Sequence, residues 1–555
     1  MNNIIVRQIR FMKSLLTIAS ILVLAGCKIN VTTTEDAEDA NLHDGICHIY
    51  SGTPPASPQD RVCSLRAAIA QAQYNVEDSL VIHQVIVPRG TYQLSLEEPL
   101  ALNSAGIIIQ GAVTDRTIID ANYKHPVFAT ENRSKIQVKL TQLHLSKGVP
   151  RGDGPSVLNV GGGSVDLDQI EFSGNQGPLL FVGGGATLTG SQVYMHGNRG
   201  GIVNWGRLDL VDSSITDNIL NRWAPVSNQR GQLKLTNVTI SGNRATDQGR
   251  SSFGSTIPVE AASAVLLGRN SRAELNNVTI AYNSLTINGR LSINSHAAGL
   301  ITVGDGASTV TNIRNSIITE NSVTTRWRWG GFSIKNCSGR VSSLSHSLVG
   351  ISSTPAHVAC DVQQSSNNIY VDTVGPPAAR LGRLALNQGS IPTHSLLPDS
   401  PALDSGAPNR GGCATRDQRG VPRPQTLGVN QDNARCDMGA FEAGNHASKV
   451  IEFRLVDTAN NMERVIRTGD LLLAEDLPEN YTIRAITTGS PGNVNFDLLG
   501  NNIQTTFDDR RAPFALTREL ENGEYTLRAT PYAQPGFPRS AGGVSKSITF
   551  SVFRE

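Results

Sequence analysis

Five kinds of sequence signal are missing from this chain, and each absence excludes something. Long amphipathic helices are hard to find, which argues against an all-α or α/β architecture. Beyond the N-terminal leader no run is apolar enough to span a membrane as a helix. Charge of one sign is also lacking, since 48 basic residues face 47 acidic ones, so there is no electrostatic case for a nucleic-acid partner. The seven cysteines include no C-x-x-C pair and the eleven histidines lack metal-ligand spacing, so neither a metal nor another cofactor is expected. No phosphate-cradling loop follows a strand and opens a helix. What remains is more than 500 residues rich in Gly, Asn, Ser and Thr. That is the composition of an exported all-β protein with room for two or three domains.

The N-terminus reads as an address. Arg7, Arg10 and Lys13 precede the apolar run Leu15–Leu24, which stops at Ala25-Gly26-Cys27. Positive residues, a short apolar core and a small-residue exit make a secretory signal. Leu24-Ala25-Gly26-Cys27 resembles the bacterial lipobox, which implies cleavage before Cys27 and a diacylglycerol on its sulfur. Multiple acyl chains anchor stably, each buried methylene contributing about 0.8 kcal/mol. Lys28 at the next position implies, by the same resemblance, the outer membrane, on its periplasmic or cell-surface face. Lipidation leaves six cysteines in sequence-local pairs: Cys47 with Cys63, Cys337 with Cys360, and Cys413 with Cys436. This pairing is one of several that six cysteines allow, and an oxidising compartment permits it.

The middle of the chain repeats. Val138-x-Leu140-x-x-Leu143-x-Leu145-x-x-Gly148 recurs as Val165, Leu167, Ile170, Phe172, Asn175, then as Leu188, Gly190, Val193, Met195, Asn198. Further copies are Leu208, Leu210, Ser213, Ile215, Asn218 and Leu233, Leu235, Val238, Ile240, Asn243. Looser ones end at Asn283 and Asn321, and a degenerate one lies around Val341 to Leu348. Period-two alternation marks half-buried strands, and the two-residue skip between the pairs marks a bend. One strand, a bend and a second strand per 20 to 27 residues is what a coil of a β-solenoid needs. Six residues before each anchor stand Gln142, Gln169, Gln192, Asp212, Asn237, Asn277 and Asn315. Stacked polar side chains at a bend are expected to bond one another and the next coil. The Asn-x-Thr triplets at Asn237 and Asn277 belong to this repeat. The last two intervals, 40 and 38 residues, leave room for extra strands such as Ala261–Leu267 and Ala298–Val303, either as additional coils or within long loops.

Terminal motifs support the solenoid. Ser64 can N-cap a helix from Leu65 to Ala72 with Leu65, Ile69 and Ala72 on one face, suited to cover the first coil's unpaired edge. Asp44-Gly45-x-Cys47 and Cys63-Ser64-Leu65-Arg66-Ala67-Ala68-Ile69 resemble the CSLREA-type cap of bacterial β-helix proteins, with Ala67 where that family usually has Glu. Asn387-Gln388-Gly389-Ser390, Ser400 to Gly406, Asp417 to Pro424 and Cys436-Asp437-Met438-Gly439-Ala440-Phe441-Glu442 resemble the choice-of-anchor Q segment. The resemblance covers roughly residues 44–442 and implies a pectate-lyase-like fold and cell-surface export, without a defined reaction. After Gly444, alternating strands such as Ile451–Leu455, Val494–Leu498 and Ile548–Val552 suit a β-sandwich. The expected organisation is a signal peptide over 1–27, a linker over 28–43, a right-handed parallel β-helix with an N-terminal helical cap over 44–445, and a small accessory β-sandwich over 446–555.

Fold does not fix chemistry. Lyases on this scaffold use an Arg or Lys base beside calcium-binding carboxylates, and no such cluster stands out. The paired Asp, Gly-His-Gly and Arg-Ile-Lys of polygalacturonase-like hydrolases are absent; the only adjacent aspartates, Asp508-Asp509, fall in the last domain. Outward-facing Asp166, Asp168 and Glu171, with Tyr194 and His196 from the next coil and Asp209 beyond, form the candidate catalytic set. Asp166 and Asp168 are expected roughly 7 Å apart along one strand, a separation that suits an inverting glycosidase. Outward positions on a solvated strand are also polar for no catalytic reason. Aromatic residues point to binding. All four tryptophans fall in the repeat region, and Arg222-Trp223 and Arg326-Trp327-Arg328-Trp329 pair cations with rings that can stack on sugars. The leading expectation is a non-catalytic, lipid-anchored envelope protein that binds polysaccharide or another surface partner. A polysaccharide lyase or glycosidase acting on an acidic polysaccharide, and a purely structural or adhesive protein, are the alternatives.

Overall fold

The computed structural model describes residues 24–50, 62–74, 81–103, 105–112, 116–130, 136–220, 224–247, 264–288, 297–303, 309–326, 331–351, 360–372, 379–397, 400–408, 412–425, 435–443, 449–459, 462–473, 477–488, 493–500, 503–509, 513–517, 519–532 and 545–553. They are nearly all β and are dominated by large parallel sheets, the arrangement expected of a parallel β-helix. The repeat aligned in the sequence is the structural register. Val138, Val165, Leu188, Leu208, Leu233 and Ala273 are lateral partners in that order, and so are Leu145, Phe172, Met195, Ile215, Ile240, Ile280 and Ile318. All of these side chains are buried in one apolar cluster. Each large member contributes about 1.5–3 kcal/mol by leaving water.

Each coil turns at the polar position between its two strands. Gln142, Gln169, Gln192, Asp212, Asn237, Asn277 and Asn315 all have φ between 48° and 58°. Left-handed backbone disfavours branched side chains and is tolerated by Asn and Asp, whose short polar groups bond locally. Backbone conformation therefore selects the residue type here more than mutual bonding does: Asn237 donates to Asp212 at 2.8 Å, but no such bond runs the length of the bends among the described residues. The continuous ladder lies at the other repeated position. Asn175, Asn198, Asn218, Asn243, Asn283, Asn321 and Asn336 are buried, and each side-chain amide donates to the carbonyl oxygen of the next at 2.9–3.0 Å. Gly148 heads this ladder. A Cβ there would stand 2.0 Å from Ser156 O, which explains glycine in the first copy.

Because Asn243, Asn283 and Asn321 are adjacent rungs, the 40- and 38-residue intervals are single coils with long excursions. Val265–Leu267 and Leu300–Thr302 belong to a seven-stranded parallel sheet on another face of those coils. Three coils among the described residues escaped the sequence alignment: Val81–Ile86 with Gly90–Gln93, Ala105–Gln110 with Thr117–Asp120, and Asp361–Ser366 with Ile369–Asp372.

Before the repeats, Leu24–Asn30 pairs in parallel with Val81–Ile86. Val31 is buried, and Asp36 takes both Arg66 Nε and Arg66 Nη2 at 2.7 and 3.0 Å. Over 28–43 the contacts with the following helix centre on Asp36 and Ala37, and apart from Val31 the stretch is exposed or half-buried. The helix Leu65–Tyr74 starts at Ser64, whose Oγ accepts from Ala67 N at 3.0 Å, and it buries Leu65, Ile69 and Ala72 in the central cluster. The cysteines pair as Cys47–Cys63, Cys337–Cys360 and Cys413–Cys436, which fits an extracytoplasmic protein.

The described parts of residues 379–443 pack on the last coil at Val371 and run back along the side of the stack. Thr239 donates to Gln418 at 2.6 Å, Asn315 Nδ2 to Gly412 O at 2.7 Å, and Asn277 Nδ2 to Asp437 O at 3.2 Å. Met438, Phe441, Leu381 and Leu396 bury Ala281, Ile317 and Leu348 beneath them. The left-handed bends at Asn277 and Asn315 are thus partners for this strap. Beyond it, Lys449–Asp457, Glu463–Ile466, Tyr481–Thr488 and Ala515–Leu516 form one sheet. A second holds Leu471–Leu473, Asn493–Gly500, Ile503–Asp509, Gly523–Tyr532 and Lys546–Phe553, and both sheets contribute to one apolar cluster.

Candidate functional site

Outward positions of the coils form lateral rows. One runs Lys139, Asp166, Thr189, Asp209, Lys234, Glu274, Asn312. Asp166 bonds Lys139 at 3.0 Å and accepts from Thr189 at 2.8 Å. Asp168, in the parallel row, receives only a 3.4 Å contact from Thr141, and Lys234 approaches Asp209 at 3.9 Å. The expected acid pair Asp166 and Asp168 thus sits in two rows of cross-coil contacts, and Asp166 is occupied by a lysine. Alternating charge between neighbouring strands is a routine source of cross-strand attraction.

Glu171 is different. Its lateral neighbours are His144 and Tyr194, and His196 follows on the same strand as Tyr194. Glu171 Oε1 accepts from His196 Nε2 at 2.9 Å and from Arg116 at 3.2 Å, and His144 Nε2 lies 3.9 Å away. Burial pushes the Glu171 carboxyl up, but the His196 hydrogen bond and the charges of His144, Arg116 and His196 outweigh it and hold the group below its usual range. Burial lowers His144, which stays neutral to lower pH, and raises the Tyr194 hydroxyl. Tyr194 and His196 stack with ring centroids 4.2 Å apart. His144 Nε2 also meets Ser173 Oγ at 2.6 Å. That is not a nucleophile triad: Glu171 approaches the same nitrogen, while Nδ1 is buried and unpartnered among the described residues. The strap bonds this face from Ser214 onward, one coil beyond Tyr194, through Pro392 O and Gln418.

A second feature lies across the bend, on the first strand of each coil. A groove of about 420 Å³ is lined by Trp205, Arg207, Arg230 and Gln232 over a floor of glycines, and it continues into a depression lined by Lys234, Arg272 and Glu274. Trp205 is 36 % exposed and packs edge-on against Phe181 at 5.5 Å. Gly206 permits the tight turn, since a Cβ there would stand 2.1 Å from Gly183 O. Arg207, Gln232 and Arg272 are lateral partners, so the two arginines stand two coil spacings apart, about 10 Å.

The expected binding loops are mostly out of view: Arg222, Trp223, Trp327, Arg328 and Trp329 lie outside the described residues, while Arg326 is exposed at the end of Ser322–Thr325. Cys27 falls within the strand Leu24–Asn30. Sequence reasoning passed over Arg116, His144 and the Trp205 groove. Trp205-Gly206-Arg207 did carry a signal, a ring and a cation beside a turn glycine. Among the described residues no group of His, Cys, Asp and Glu has a metal-holding geometry, and no helix is long and apolar enough to cross a membrane. No family model, curated protein or solved structure matches the chain.

Proposed function

We propose that this is an exported lipoprotein of the outer membrane, acylated at Cys27, that binds an acidic polysaccharide along the side of a right-handed parallel β-helix. The helix Leu65–Tyr74 caps that β-helix, and a β-sandwich over 446–555 follows it. The observation that carries the ligand is the exposed Trp205 ring beside Arg207 and Arg230 in one depression, which shares Arg207 and Gln232 with a neighbouring depression lined by Arg272. An indole face stacks on a pyranose ring, and arginine forks meet carboxylates in bidentate geometry. Two arginines two coils apart, Arg207 and Arg272, can meet carboxylates spaced along an extended polymer.

The test is retention of the soluble form lacking Cys27 on immobilised polyuronate and on a neutral glucan. Retention on the polyuronate is expected to weaken with salt, because exposed charge pairs are screened. Trp205→Ala and Arg207→Ala/Arg272→Ala should each weaken it on the order of tenfold, the scale of one lost anchoring contact. Trp327→Ala/Trp329→Ala tests the Arg-Trp loop separately. Equal behaviour of wild type and groove variants removes the groove from binding, and no retention on any glycan leaves the adhesive or structural reading.

A further inference from the structure

We infer that the N-terminal end of the stack is a membrane-facing foot: acyl chains on Cys27 hold residues 32–50 against bilayer headgroups, with the coil axis directed away from the membrane. This rests on the acylation of Cys27 proposed above and goes beyond it, since an anchor alone lets a body tumble on a linker.

The chain has no length to spare for such a linker. Cleavage before Cys27 removes Leu24 to Gly26, yet Lys28, Ile29 and Asn30 stay in register with Gln84, Val85 and Ile86 of the first coil. Val31 N then donates to Ile86 O and Thr32 N to Cys63 O, both at 2.9 Å, and Cys63 N donates to Thr32 Oγ at 2.8 Å. One residue spans at most about 3.6 Å, so the first paired residue follows directly on the acylated one. The following residues cover the outer side of the helix Leu65–Tyr74. Asp36 accepts from Arg66 Nε at 2.7 Å, Ala37 O from Ser64 Oγ at 2.5 Å, and Leu42 O from Gln71 Nε2 at 3.2 Å. Ala67 and Gln71 are buried although they stand across the helix from Leu65, Ile69 and Ala72. The end is therefore layered, with the first coil innermost, then the helix, then residues 36–44.

That outer layer carries the features of a headgroup contact. Tyr50 is 62 % and Tyr74 44 % exposed. Tyr74 Oη bonds His43 Nδ1 at 2.5 Å, and Tyr50 Oη donates to Glu35 at 3.4 Å. Tyrosine rings favour the membrane–water interface, where an apolar ring and a wet hydroxyl are both satisfied. Charge selects the lipid. Asp36 and Asp44 are paired with Arg66 and His48, whereas Glu35 and Glu38 are exposed against a single lysine, Lys28. Anionic lipid repels exposed acids, so the fitting partner is a headgroup surface without net charge. A tether this short raises the effective concentration to about millimolar or above, so a weak face suffices. The geometry also sets a height for the groove. Val85, Ile109, Leu140, Leu167, Gly190 and Leu210 are successive lateral partners, which places the coil of Arg207 about 24 Å beyond the first.

The experiment compares amide exchange of the acylated full chain in phosphatidylcholine nanodiscs with that of the soluble form lacking Cys27. The mass of the N-terminal peptide reports acylation. Residues 32–50 should exchange on the order of tenfold more slowly at the bilayer, while Trp205 to Arg207 and Arg340–Ser345 stay unchanged. A Gly/Ser insertion of about 16 residues between Cys27 and Lys28, reaching about 20–24 Å, should abolish that difference. Tyr50→Ser/Tyr74→Ser should shrink it without releasing the protein. Added phosphatidylglycerol should weaken the protection, and Glu35→Gln/Glu38→Gln should restore it. An unmodified Cys27 with no nanodisc binding overturns the anchor and this inference together. An acylated chain on the disc whose residues 32–50 exchange as in the soluble form overturns the foot and leaves the anchor standing. Protection at Trp205 and Arg207 instead overturns the direction of the axis, and protection that survives the insertion overturns the short tether as its cause.

Discussion

The buried asparagine ladder makes the most demanding claim about stability, and Asn218 at its middle tests it. Its Oδ1 accepts from Asn198 N and Asn198 Nδ2, both at 3.0 Å, and its Nδ2 donates to Asn243 Oδ1 at 2.9 Å and Met195 O at 3.1 Å. After Asn218→Ala two neighbours keep partners, because Asn198 Nδ2 still reaches Phe172 O and Asn243 Oδ1 still accepts from Asn218 N. The Asn198 amide loses the acceptor it has at this turn. A buried orphan donor costs about 1–3 kcal/mol and each ordinary lost bond about 1 kcal/mol, so the variant should lose about 3 kcal/mol. Urea unfolding of the soluble form gives the magnitude, and amide exchange gives its location. Because each coil contacts chiefly its neighbours, exchange should quicken at Asn198 and in the flanking coils before it does near Asn321. Asn218→Ala/Asn243→Ala should cost less than the sum of the single changes, since the bonds between them are lost only once. A loss below about 1 kcal/mol, or an unchanged Asn198 amide, would refute the view that these side chains hold the turns together.

Other consequences concern the strap and the far end. Burial and nearby Asp417 raise the Asp212 carboxyl to about 6. The native state therefore binds more protons than the unfolded chain above pH 4, and this group's contribution to stability is lost as the pH rises through 6. Asp212→Asn keeps the Asn237 bond and should be more stable than wild type by about 1 kcal/mol at pH 7, with the difference vanishing near pH 4 in thermal melts. His394 is buried, bonded at Nδ1 to Gly382 O and at Nε2 to Ser241 Oγ, and burial holds it below its usual range. The unfolded chain then takes up a proton first, so stability falls as the pH drops below about 6.5. Exchange of the Leu381–Leu396 hairpin should quicken there, and His394→Phe should remove that dependence. Cys337→Ser/Cys360→Ser opens a link of sequence separation 23 and should cost about 3 kcal/mol by loop entropy, read as a lower urea midpoint; an unchanged midpoint would mean the last coils are held by packing alone.

The coils were legible in the sequence because their physics is periodic. Leu140, Leu167, Leu210 and Leu235 must be apolar for the same reason at the same phase, so counting residues recovers lateral neighbours. The bend was legible as a polar position, but its cause was not. Gln and Asn carry the same amide and Asp shares its acceptor oxygen, so residue type alone suggested mutual bonding, whereas what all seven share in the structure is positive φ. The ladder from Asn175 to Asn321 was visible as an anchor, without any sign that it faces inward, and its last rung Asn336 lay outside the template. Intervals of 40 and 38 residues hid the rung-to-rung adjacency of Asn243, Asn283 and Asn321 because chain length carries no information on where a loop returns. The Glu171 site shows the same limit more sharply. Glu171, Tyr194 and His196 fall inside the repeat template and could be placed as neighbours by register alone. Arg116 lies before the first aligned copy, outside any phase the template supplies, and it reaches Glu171 across 55 positions of sequence. A periodic reading finds what stacks, and it misses a side chain that reaches along the stack from an unaligned coil. Whatever chemistry a solenoid adds to its scaffold is most legible where rows of equivalent positions break their own rule, as they do at Glu171, where one carboxylate meets a guanidinium and an imidazole N–H instead of one lysine.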